Sequence, residues 1–109
     1  VYIGTDPKKV DSAEEAMLFE VDRLKKEFVS EEELENAKNK VKGSAILAQE
    51  LNSDKADTMA ISEVFGNGYD FYNGRFDELI DEVTLTDIIA VANKYFSKPY
   101  VVSKVLPKK

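Results

Sequence analysis

Val1-Tyr2-Ile3-Gly4-Thr5-Asp6-Pro7 decides how the rest of the chain is read. Val1 to Thr5 is rich in β-branched and aromatic residues, which predicts a short strand. Asp6-Pro7 then reads as a helix start, with Asp6 at N-cap and Pro7 at the first helical position. From Val10 the period changes: Val10, Ala13, Met17, Val21, Leu24 and Phe28 recur at steps of three and four, the spacing of one helix face. At the other end, Pro99 forbids continuation of a helix, and Tyr100 to Leu106 again has the Val-rich and aromatic character of a strand.

Between these ends the punctuation is helical. Ser30-Glu31-Glu32-Glu33 is a capping box, with carboxylates placed at the positive end of a helix dipole. Leu34, Ala37, Val41, Ala45, Ala48 and Leu51 predict its packed stripe, and Gly43 predicts a close helix approach or a bend. A large side chain at Gly43 would then overpack by ~1–3 kcal/mol. Ser53 or Asp54 can cap a third helix carrying Ala56, Met59, Ala60, Val64 and Phe65, which ends at Gly66-Asn67-Gly68 where positive φ is cheap. Asp70 to Val83 reads as a fourth helix whose first turns Gly74 weakens. Thr84-Leu85-Thr86-Asp87 starts a fifth, with Ile88, Val91, Ala92, Tyr95 and Phe96 inward.

The order strand, four or five helices, strand predicts an α+β fold: a partial sheet of N- and C-terminal strands covered by a helical layer. Two short strands make no stable sheet alone, so the expectation includes further strands from outside this sequence and self-association through the open edge. A chain opening on Val1 reads accordingly as an excised segment, all 109 residues forming one unit.

Composition excludes whole classes of chemistry. With 43% hydrophobic and 33% charged residues, the chain has the make-up of a globular segment. It contains no Cys and no His, which removes disulfides, thiol and imidazole nucleophiles, Ser-His triads and the usual zinc ligands. Twenty-one acidic against fifteen basic residues give a net charge of -6, so no overall field attracts nucleic acid or an anionic membrane. No apolar run approaches the ~20 residues of a membrane span.

The remaining polar groupings each have a plain structural explanation. Glu31, Glu32, Glu33 and Glu35 could gather a hard cation, but first-turn acids are accounted for by the dipole. Asp77 with Glu78, and Asp81 with Glu82, could act as acid–base pairs, yet adjacent residues point to different helix sides. Gly66-Asn67-Gly68 follows a helix rather than a strand and lacks the remainder of a phosphate loop. Phe65, Tyr69, Phe71, Tyr72 and Phe76 could stack a base or peptide, yet only Arg75 stands beside them as a cation, and core packing at a helix corner is the favoured reading. Lys42 and Ser44, two apart on a helix, do not face each other as a dyad would.

A resemblance extends this reading. Residues Phe28 to Ser44 (F-V-S-E-E-E-L-E-N-A-K-N-K-V-K-G-S) are similar to the helix-start pattern G-V-T-E-E-E-L-E-R-A-K-N-Q-L-K-G-S of the insulinase (pitrilysin) family of zinc metallopeptidases. Tyr2 to Val10 resembles the family's Y-x-G-T-x-P-E-K-V. Phe65 to Asp70, Val83 to Ile88 and Ala92 to Phe96 resemble L-G-x-G-x-D, V-T-x-E-D-V and A-K-K-Y-L, in the same order and spacing.

The resemblance implies the last stretch of one half of such an enzyme, the half that lacks zinc. The implied fold is a larger metallopeptidase-like α/β sandwich, and the implied role is a non-catalytic wall of the peptide chamber. The family's inverted His-x-x-Glu-His motif cannot lie in a chain without His, and its third ligand, a later Glu, has no match here. The family's substrate-clamping Arg and Tyr would fall before Val1, so Arg75 and Tyr72 inherit no role and no catalytic, cofactor or metal residue is assigned. Zinc is expected in the catalytic half, not in this chain. The implied partners are the rest of the domain, a catalytic half on the same or a separate chain, and a peptide substrate. An assembly subunit that keeps the fold without peptidase work is the alternative.

Overall fold

The computed structural model describes residues 1–107, and among these every regular element is a helix. A 3₁₀ turn, Pro7–Lys9, leads into α1 (Val10–Lys26), followed by α2 (Glu31–Leu47), α3 (Asn52–Val64), α4 (Arg75–Asp81) and α5 (Leu85–Phe96).

The α+β expectation is therefore corrected. Neither Val1 to Thr5 nor Tyr100 to Leu106 forms a strand, and no sheet is present among the described residues. The physical reason lies in what β-propensity measures. It reports fit to a pleated, half-buried surface beside a partner strand. Val1, Tyr2, Val101 and Val105 are instead almost fully exposed. Self-association through a sheet edge loses its basis with the sheet.

The chain divides into two compact units. One comprises Val1–Val29 with the chain from Leu85 onward; the other is Ser30–Thr84. In the first, α5 packs on α1, and Ala92 at 3% exposure is its most buried side chain. Asn93 ties the pair by donating from Nδ2 to the Lys25 carbonyl and to the Ile89 carbonyl, both at 2.9 Å. The predicted cap at Asp6 is present: its carboxylate accepts from Lys8 N–H at 2.8 Å, with Pro7 opening the turn.

In the second unit, Ser30 Oγ accepts from Glu33 N–H at 3.0 Å and starts α2 as its capping box predicts. Gly43 neither interrupts α2 nor lies at a crowded contact. α2 runs unbroken through it, and a Cβ added there would meet nothing within 4 Å, which overturns the expected close approach. α3 begins one residue before the predicted caps, with Leu51 at N-cap and no capping side chain. It stops at Gly66 and Gly68, whose φ angles of 79° and 90° suit glycine. α4 is shorter than the predicted 70–83 helix, because residues 70–74 form turns and Gly74 adopts φ 128° immediately before Arg75.

Candidate functional site

The second unit holds the polar network the sequence groupings hinted at, though not as an acid–base site. Lys38 and Lys42 lie four apart on α2 and reach α4 together. Lys38 Nζ donates to the Asp81 carbonyl at 3.0 Å, and Lys42 Nζ pairs with the Asp81 carboxylate at 2.6 Å. That hydrogen bond raises the Lys42 ammonium above the usual lysine value. Asp81 is thus the anchor of a helix–helix tie, not the partner of Glu82. Glu78 likewise pairs with Arg75 at 3.2 Å within α4 rather than with Asp77.

Glu31, Glu32 and Glu33 occupy the first turn of α2, exposed, with Glu35 salt-bridged to Lys38 at 3.3 Å. Among the described residues no group of three or more acidic side chains is placed to hold a metal ion. Ser44 has no Lys42 base beside it, since Lys42 is turned to Asp81.

Of the five aromatic residues, the structure gathers three. Phe71 meets Tyr72 edge-on at 5.2 Å between centroids and Phe76 at 6.0 Å, and Tyr72 lies 4.8 Å from Phe76. These contacts pin the turns before α4 onto its first helical turn. Phe65 and Tyr69 stand apart and exposed. Gly66-Asn67-Gly68 closes the end of α3: Asn67 N–H donates to the Ser62 carbonyl at 3.0 Å, and Tyr69 N–H to the Glu63 carboxylate at 2.9 Å. With Gly66 N–H donating to the Glu63 carbonyl at 3.0 Å, the first two donors of this segment are used by the chain itself.

The orientation of α3 stands out. The apolar set it carries, Ala56, Met59, Ala60, Val64 and Phe65, faces solvent, with Val64 83% and Phe65 77% exposed. Ile61 is exposed beside them. The shielded side instead carries Asp54, Thr58 and Ser62, spaced four apart, with Ser62 only 5% exposed. Ile46, Leu47 and Leu51, around the end of α2, are exposed as well. In α5 the inward residues are Leu85, Ile88, Ile89 and Ala92, while the predicted Val91, Tyr95 and Phe96 remain exposed.

The first unit carries an open groove of about 500 Å³, walled by Met17, Leu18 and Val21 of α1, Phe96 of α5, and the extended segment through Tyr100 and Val102. Sequence reasoning missed the side chains that frame it. Lys104 pairs with Glu14 at 2.5 Å and with Asp11 at 3.3 Å, contacts some ninety residues apart that no local spacing reveals. No described helix is long and apolar enough to cross a membrane. Compared with protein-family models, curated proteins and solved structures, the chain matches none of them. The resemblance to the insulinase family therefore stands on its motifs alone.

Proposed function

We propose that this chain is a non-catalytic segment of a zinc peptidase of the insulinase/pitrilysin type, a wall element that packs against the rest of its domain and a catalytic half. The observation that carries the packing is α3. A helix with Val64 and Phe65 outward and Ser62 inward leaves its apolar side uncovered, and a large uncovered apolar patch marks an interaction surface. The peptidase assignment rests on the collinear motifs, which fall on the start of α2, the turn after α3 and the two ends of α5.

In this reading zinc and the acid–base chemistry belong to the catalytic half. The present chain supplies apolar area, and each large side chain buried in the assembly stabilises it by about 1.5–3 kcal/mol. Val64→Glu with Phe65→Glu, introduced into the native protein, is expected to abolish chelator-sensitive peptide cleavage while the isolated chain keeps its helical circular dichroism. Cleavage at the parent rate in that variant would refute the packing role. Full cleavage after deletion of the whole segment would favour an assembly subunit instead.

A further inference from the structure

We propose that residues 98–107 form a releasable strap over the α1 groove, latched by the charge of Lys104. The segment leaves α5 at Phe96 and continues extended along α1. Its exposure alternates: Val101 and Val105 are 95% and 96% exposed, whereas Val102 and Leu106 are 45% and 55%. One edge of the strap thus rests on the helix and the other faces water, the two-residue period of extended backbone.

What holds it is unusually little. Among the described residues, no backbone N–H or C=O from 99 to 107 is hydrogen-bonded within the protein, so that backbone is left to water. The polar attachment is Lys104, whose ammonium bridges Glu14 and Asp11 on the first turns of α1. An exposed ion pair favours a closed state by at most roughly fivefold. Strap closure is accordingly a balance rather than a lock. Neutralising Lys104, or screening it, shifts that balance toward an open strap by up to the same factor and leaves Met17, Leu18 and Val21 bare for a larger share of the time. This inference concerns the first unit alone and does not depend on the peptidase reading.

The chain has no cysteine, so Val105→Cys accepts a nitroxide label at a single exposed position. Paramagnetic broadening of the Asp11 to Ala16 amides then reports closure. In the otherwise unaltered chain these amides are expected to broaden. Lys104→Gln is expected to reduce the effect by about twofold or more, and Lys104→Arg to preserve it. Molar salt, where the screening length is about 3 Å, is expected to act like Lys104→Gln without any second substitution, which covers a variant that fails to fold. Absence of broadening in low salt would show that the strap does not lie on α1. Broadening indifferent to both salt and Lys104→Gln would show that apolar contact, not charge, holds it. Either result overturns the proposal.

Discussion

Replacing Ser30 by Ala removes the side-chain hydrogen bond that caps α2, from Glu33 N–H, and leaves the backbone bond from Leu34 N–H to the Ser30 carbonyl in place. Ser30 sits at N-cap with extended backbone, φ -68° and ψ 155°, and its Oγ accepts from Glu33 N–H at 3.0 Å. The first N–H groups of a helix have no partner in the preceding turn, so the hydroxyl satisfies a donor that would otherwise rely on water. Loss of such a cap costs about 1 kcal/mol, while Gly in its place costs only a few tenths and Asn close to nothing. With a urea dependence near 2 kcal/mol per molar, Ser30→Ala is expected to lower the unfolding midpoint by about 0.5 M at unchanged slope. Urea titration of far-ultraviolet circular dichroism measures it. The expected order of midpoints is Ser equal to Asn, then Gly, then Ala. Equal midpoints for Ser30→Ala and the parent would refute the capping energetics. A changed slope would show instead that the variant alters the unfolded or folded state as a whole.

Other substitutions follow from backbone and charge. Gly43→Ala, at an open mid-helix position, is expected to stabilise α2 by about 0.5–1 kcal/mol, read from the same urea titration. Gly74→Ala forces a side chain onto φ 128° and is expected to destabilise by about 1–3 kcal/mol, with loss of the Phe71–Phe76 ring contact visible as shifted aromatic proton resonances. Asp81 holds the Lys42 ammonium above its ordinary value, so this tie contributes fully below the ordinary lysine range and is lost as pH rises through the raised value. An alkaline nuclear magnetic resonance titration should move α4 amides over that interval in the parent and not in Lys42→Met. Asp22 behaves oppositely. Hydrogen bonds first from Lys26 and then from Lys25 lower its carboxyl, so its contribution is present above the ordinary carboxylate value and fades as pH falls through the lowered one.

Helix starts were legible in the sequence because they are written in local chemistry. Asp6-Pro7 and Ser30-Glu31-Glu32-Glu33 need only neighbours within one turn, and both caps form. The stop at Gly66 and Gly68 is equally local. The terminal segments are not legible as coil because Val and Tyr favour a strand only where a partner strand exists, and among the described residues Val101 and Val105 have none. The α3 residues are legible as an apolar set and no further. Periodicity identifies the apolar side of a helix but not what covers it, so Val64 and Phe65 could be marked as a stripe without being buried within this chain. The Asp81 anchor was half visible in the spacing of Lys38 and Lys42, which share a helix side. The Lys104 latch was not visible at all, since Asp11 and Glu14 meet it only through the tertiary fold.

Zinc analysis and peptide-cleavage assays on the native assembly isolated through this chain decide whether it is part of a zinc peptidase. Bound zinc, peptide cleavage that a chelator abolishes, and loss of cleavage in the Val64→Glu, Phe65→Glu variant are expected. A native assembly that holds no zinc and cleaves no peptide would contradict that reading.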